Sequence, residues 1–178
     1  ITGQDGSYLA KFLLNKGYDV FGAYRRLSTP NFWRLVYLDI FDSVKLIPID
    51  LIDTSSIIEA LTICEPDELY HLAAQSFVEA SFETPIATGE VTGLAVTRFL
   101  EAIRQRNFCK FYFAGSSEQF GLAGLKVDRL LNEKDFFCPM SPYAVAKLYG
   151  YWMTKVYRES YKLFAVNGVM FNHESPIR

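Results

Sequence analysis

Phe111-Tyr112-Phe113-Ala114-Gly115-Ser116-Ser117-Glu118 is an apolar run that stops abruptly in small and polar residues. A short apolar segment bounded in this way reads as a buried strand. Downstream stands Ser141-Pro142-Tyr143-Ala144-Val145-Ala146-Lys147, which reads as a helix start, with Pro142 suited to the first turn. Tyr143 and Lys147 are four residues apart, so on a helix they share a face. Open α/β sheets place their chemistry where strand ends meet helix starts.

The same alternation runs outward in both directions. Helical patterns cover Ser7 to Lys16 (Leu9, Phe12 and Leu13 inward, Gly17 as stop), Thr54 to Cys64 (Asp53 or Thr54 as N-cap; Ile57, Ile58 and Leu61 inward), Glu90 to Arg104, and Pro142 to Tyr161. Strand patterns cover Asp19 to Tyr24, Val44 to Ile49, Glu68 to Leu72, Lys110 to Ala114 and Phe164 to Met170. Leu122 to Met140 reads as an irregular surface loop. Such alternation predicts an α/β, Rossmann-like, doubly wound parallel sheet.

Bulk properties narrow the function. The chain has 178 residues, half of them apolar, and a formal charge of −2. That excludes a disordered chain and a basic nucleic-acid-binding surface. No apolar run reaches the ~20 residues of a membrane span, and no secretion leader is visible. Cys64, Cys109 and Cys138 form neither a disulfide framework nor a metal knuckle; Cys64 and Cys109 read as inert core thiols. A reducing cytoplasm is the expected compartment. His71 reads as a satisfied core histidine, and no metal site is expected.

Chemistry-bearing residues collect at the predicted strand ends. Gly3 and Gly6 make a glycine turn that feeds a helix, the kind of turn that lets backbone amides approach a pyrophosphate. Arg25-Arg26 follow the Asp19 to Tyr24 strand, where a carboxylate would suit a ribose hydroxyl and arginine suits a 2′-phosphate; this favours NADP. Asp50-Leu51 ends the next strand and serves either the adenine amine or a turn. Leu72-Ala73-Ala74-Gln75-Ser76 ends another, its small residues suited equally to ligand approach and to packing. A phenol with pKa ~10 is a poor base at neutral pH, and the Lys147 ammonium is expected to lower it. Tyr151 and Lys155 repeat the spacing two turns on, but Tyr143 stands nearest the strand ends. Ser116 can donate to the oxygen that Tyr143 deprotonates. Glu118 adds a base for a C–H proton beside a ketone, a combination that fits oxidation, water elimination and re-reduction in one site.

These residues resemble the GDP-mannose 4,6-dehydratase family of the extended short-chain dehydrogenase/reductases. The strings that carry the resemblance are Ile1 to Ala10, Tyr24-Arg25-Arg26, Leu72 to Ser76, Ser116-Ser117-Glu118, Ser141 to Lys147, Tyr157 to Tyr161 and Phe171-Asn172-His173-Glu174-Ser175-Pro176. The resemblance implies NADP held by Gly3, Gln4, Asp5, Arg25, Asp50, Leu51, Leu72, Ala73, Ala74, Gln75, Ser76, Lys147, His173 and Arg178. It implies that Tyr143 removes the C4 hydroxyl proton of GDP-mannose or a related nucleotide sugar, that Ser116 orients that oxygen, and that Glu118 takes the C5 proton as water leaves C6. It also implies a homo-oligomer, dimer or tetramer, built on the helices from Glu90 and Pro142, with Asn31 to Tyr37 reaching a neighbouring subunit's cofactor.

The chain departs from the family pattern at several points. Ser116 stands where threonine is common, Ala87 where a tyrosine often meets the cofactor, and Leu122 to Met140 is unlike the usual connection. The glycine turn follows no strand within the sequence, and no substrate half follows Arg178. The expectation is a partial cofactor domain over residues 1–178, lacking its first strand and the C-terminal substrate domain. Two other readings stay open: a reductase or epimerase of the same superfamily, which Glu118 and the Asn172 to Pro176 string argue against, and an inactive cofactor-binding fragment.

Overall fold

The computed structural model describes residues 1–106 and 109–178, with the side chains of 106 and 125 outside the description. The chain divides into two compact units, Ile1–Glu65 with Asn172–Arg178, and Pro66–Phe171. Both are built from parallel strands joined through helices, which is the α/β, Rossmann-like architecture that the alternation predicts.

In the first unit, α1 (Gln4–Asn15) leads to β1 (Phe21–Tyr24), α2 (Trp33–Tyr37), β2 (Lys45–Pro48) and α3 (Thr54–Cys64). β1 and β2 pair in parallel, Phe21 opposite Lys45 and Tyr24 opposite Pro48. Ala10, Val20, Leu35, Leu38, Ile40, Val44 and Ile177 form the core. The predicted inward face of α1 is partly wrong: Phe12 is exposed, and Leu14 joins Leu13 against the core. α3 has its predicted bounds. The Asp53 carboxylate accepts from the Ser55 amide at 2.8 Å and caps it. Ala60 is buried on α3 and the expected Ile58 is not.

In the second unit, β3 (Glu68–His71) is followed by α4 (Val78–Glu83), α5 (Pro85–Thr88) and a π-helical stretch (Gly89–Leu94) that runs straight into α6 (Ala95–Arg106). Then come β4 (Lys110–Ala114), α7 (Leu122–Leu125), α8 (Pro142–Tyr161) and β5 (Ala165–Gly168). The ladder order is β3-β4-β5, all parallel. Val96, Phe99, Leu100 and Ile103 bury the predicted face of α6. The predicted loop from Leu122 holds one short helix, α7.

α8 lies very close to the sheet. A Cβ at Gly150 would stand 2.6 Å from the Phe113 ring and 3.0 Å from Val96. Only glycine lets the helix approach this near.

Candidate active site

The turn after β4 is pinned on both sides. The Gly115 amide donates to Gly168 O at 2.8 Å, and the Ser117 amide donates to Met170 O at 2.8 Å. A Cβ at Gly115 would lie 2.5 Å from Gly168 O, so the close approach of β4 and β5 requires glycine there. The Ser116 hydroxyl accepts from the Glu118 amide at 3.2 Å and caps the 3₁₀ turn Ser117–Gln119. This holds Ser116 buried and leaves the Glu118 side chain exposed.

Gln119, which its sequence neighbours do not single out, underpins that turn. It is fully buried, and its Nε2 donates to Ser116 O at 2.7 Å while its backbone amide reaches the same oxygen at 3.1 Å. The Gln119 Oε1 is buried without a partner among the described residues.

Across from the turn stands the start of α8. Ser141 caps it by accepting from the Ala144 amide at 3.1 Å, and Pro142 occupies the first turn. Tyr143 and Lys147 are both buried. Lys147 Nζ donates to Ala114 O at 2.6 Å and lies 5.0 Å from the Phe113 ring centre. Its burial lowers its pKa to about 8.

Tyr143 departs from expectation. Burial pushes its phenol above the ordinary value; a hydrogen bond with the Ser116 side chain opposes that rise, and the Glu118 charge adds to it. No lowering by Lys147 accompanies these effects; its ammonium is bound to the Ala114 carbonyl and stands 5.9 Å from the phenol ring centre. Still, Ser116, Tyr143 and Lys147 meet at one strand end, with Glu118 near enough to act on the phenol. The competing pair is set apart: Tyr151 packs on Phe137 and Trp152, while Lys155 lies over the Trp152 ring and 3.9 Å from Glu159.

His71 is a core residue, as expected, but not a satisfied one. Its ring lies against Phe99, Phe111 and Phe113, and its Nε2 has no partner among the described residues. Burial, with the Lys147 charge adding to it, drives its pKa down to about 3, so the ring is neutral.

The segment Leu72 to Ser76 follows β3. The Gln75 amide donates to Thr92 Oγ1 at 3.0 Å, so the π-helical stretch anchors the loop. Gln75 Nε2 donates to Phe77 O at 2.9 Å, which leaves Gln75 Oε1 buried and unpartnered among the described residues. Thr92 carries no motif signal; only the helical insertion reveals its role.

In the first unit, Gly3 is the N-cap of α1 and makes no side-chain cap, so the first amides of this helix are unclaimed by a capping side chain. Gln4 Nε2 donates to His173 O at 2.8 Å and Ser175 Oγ donates to Gln4 Oε1 at 2.7 Å. His173 Nδ1 lies 3.0 Å from Asp5 Oδ1, and Arg178 pairs with Glu174. Gln4, Asp5, His173 and Arg178 are thus brought together at the start of α1. Arg25 and Arg26 line a hollow of about 270 Å³ with Thr2, Tyr24, Asn31 and Phe32. Asp50 behaves as a turn residue: its Oδ1 accepts from the Ile52 amide at 3.1 Å. Leu51, half-buried, lies in that same turn. Within this unit, the uncapped amides of α1 and the hollow beside β1 suit the phosphates and adenosine of a dinucleotide. Within the second, the orphaned Gln75 oxygen suits a ligand's hydrogen-bond donor.

The chain matches the GDP-mannose 4,6 dehydratase family over residues 1–178. GDP-mannose 4,6 dehydratase 2 of Caenorhabditis elegans is 47% identical over 189 residues, covering 100% of this chain and 48% of the relative. UDP-glucose 4-epimerase from Brucella ovis, solved in complex with NAD, matches 96% of this chain and 50% of its own, with TM-score 0.82 and 25% identity. The UDP-glucose 4-epimerase of Thermus thermophilus, also in complex with NAD, covers 91% of this chain and 50% of its own, with TM-score 0.79 and 29% identity. The chain spans about half the length of the curated relatives it matches. NAD in these solved structures overturns the expectation of NADP. The physical reason lies in Arg25 and Arg26, which are exposed on a surface loop. Neither guanidinium is held in place by an ion pair among the described residues.

Proposed function

The chain belongs to the GDP-mannose 4,6-dehydratase family, and from that premise we propose that it supplies the cofactor-binding and catalytic residues of an NAD-dependent nucleotide-sugar dehydratase. The observation that carries the reading is the meeting of Ser116, Tyr143 and Lys147 with Glu118 beside them. Simple carbonyl–alcohol chemistry needs the first three only; the added carboxylate is the base that an elimination requires.

NAD, when bound, supplies the hydride acceptor and donor. Gly3, Gln4, Asp5, Arg25, Asp50, Leu51, His173 and Arg178 of the first unit, and Leu72 to Ser76 and Lys147 of the second, are the residues proposed to hold it. Ser116 fixes the sugar's C4 oxygen by hydrogen bond. Tyr143 takes the C4 hydroxyl proton, its phenolate favoured once Lys147 turns its ammonium from Ala114 towards the bound ligands. The C4 ketone acidifies C5–H, and Glu118, whose side chain is exposed, removes that proton as C6 loses water. Return to C6 of the hydride taken from C4, which bound NAD would carry, together with a proton to C5, gives GDP-4-keto-6-deoxymannose from GDP-mannose with no external redox partner.

Anaerobic incubation of the full-length protein that carries this chain with GDP-mannose and NAD⁺, followed by mass spectrometry, tests the reading. Loss of one water with no net NADH supports it. Inversion at C4 without loss of mass sinks it in favour of an epimerase.

The assembly is proposed to be a homo-oligomer. Val145, Tyr149, Trp152 and Val156 form one exposed stripe along α8, next to a shallow apolar groove lined by Pro85, Leu94 and Pro142. A second copy of the same face is the occupant that such a helix stripe suits.

A further inference from the structure

We propose that Gln119 is a positioning residue for Ser116. Its buried amide holds the Ser116 carbonyl so that the hydroxyl stays on the Tyr143 phenol, at the expense of the fold's stability. Gln119 is fully buried in the turn after β4. Its Nε2 donates to Ser116 O at 2.7 Å, and the same oxygen already accepts the Gln119 backbone amide at 3.1 Å. The side chain is therefore a second donor to a carbonyl that has one. Its other end, Oε1, is buried with no partner among the described residues. A buried acceptor that the protein does not satisfy gives stability away or immobilises a water. An unbranched apolar side chain would fill the same space without that cost. Packing therefore leaves the amide unexplained.

Its neighbours explain it. Ser116 Oγ accepts from the Glu118 amide at 3.2 Å and shares a hydrogen bond with the Tyr143 phenol. Two donors on the Ser116 carbonyl fix the peptide plane that follows and, with it, the direction in which Cα carries that hydroxyl. Glycine at 115 makes room for the second donor, since a Cβ there would stand 2.9 Å from Gln119 Nε2. The Cys138 amide donates to Gln119 O at 3.0 Å, which steadies the backbone from which the side chain reaches back. A turn held by its main-chain bond alone keeps its fold and loses its aim.

The catalytic half of the proposal rests on the dehydratase reading above, so the test includes a readout that needs no turnover. Gln119→Met keeps the side-chain length and removes both amide atoms. In the full-length protein that carries this chain, the variant is expected to keep or raise its urea midpoint. Its kcat with GDP-mannose and NAD⁺ falls on the order of 10–100-fold at unchanged KM. In the Ser116→Ala background the same change costs nothing further, because the effect runs through that hydroxyl. In amide hydrogen exchange without substrate, the Glu118 amide exchanges faster in Gln119→Met. The Phe111 amide, bonded to Phe164 O at 2.8 Å, keeps its protection. A lowered midpoint, or a variant that fails to fold, assigns Gln119 to stability and overturns the proposal. So does unchanged exchange at Glu118, an unchanged kcat, or an equal loss in the Ser116→Ala background. If the parent does not dehydrate GDP-mannose, the reaction reading falls, and the exchange rates alone decide whether Gln119 holds Ser116.

Discussion

Lys147 Nζ donates to the carbonyl oxygen of Ala114 at 2.6 Å, tying the second turn of α8 to the last residue of β4. One bond therefore fixes α8 to β4, and it does so with a buried cation.

That cation gives a pH signature. Burial lowers the folded-state pKa to about 8, below the unfolded value of ~10.5. Between these values the unfolded chain binds more protons, so stability rises with pH across that window. Lys147→Met removes the dependence. Urea unfolding at pH 7.5 and 10.5 is expected to show the parent gaining about 3 kcal/mol relative to the variant over that interval. A pH-independent difference between the two would disprove a buried ammonium.

Glu118 and Tyr143 divide the proposed reaction. In the full-length protein, Tyr143→Phe is expected to cut turnover about 10²–10⁴-fold with no reduced nicotinamide formed. Glu118→Gln is expected to stop the water loss while near-ultraviolet absorbance of reduced nicotinamide builds up. Equal block of both steps in Glu118→Gln would remove the carboxylate from the elimination.

Gly115→Ala should loosen the site from beneath. Its Cβ would meet Gly168 O at 2.5 Å, and a backbone atom cannot step aside as a side-chain tip does. A cost of about 1–3 kcal/mol is expected, read as a lower denaturant midpoint at unchanged slope. An unshifted midpoint would show that β4 and β5 can part freely.

NAD⁺ should stabilise the chain. At a hundredfold excess over the dissociation constant the gain is about 2.7 kcal/mol, visible as a rise in melting temperature. A rise with NADP⁺ and none with NAD⁺ would reverse the cofactor assignment.

Residues with strong local rules are legible in the sequence. α8 starts and stops where Ser141, Pro142 and the end of its periodic pattern put it, and β4 has its predicted bounds. α2, α4 and α5 are not foreseeable, because each is too short for a helical period to show against its neighbours. The π-helical stretch escapes for a related reason: an inserted residue breaks the spacing that places the Glu90 to Arg104 helix. In the site, spacing alone does not separate Tyr143–Lys147 from Tyr151–Lys155; proximity to the strand end does. Gln119 and Thr92 are invisible because their roles are hydrogen bonds to backbone atoms that only the fold brings near. The ionisation of Tyr143 misleads because spacing puts a lysine on the phenol's face of the helix, whereas its ammonium is bound to Ala114.

The missing side chain at Gly150 sets a boundary on redesign. With α8 resting directly on the Phe113 ring, its bearing cannot be retuned by small core substitutions, since even one methyl would pry it off the sheet. Attempts to reshape the hollow above this helix must therefore work through the loops at the rim rather than through the floor, and an alanine at this position would have to move Tyr143 along with the helix.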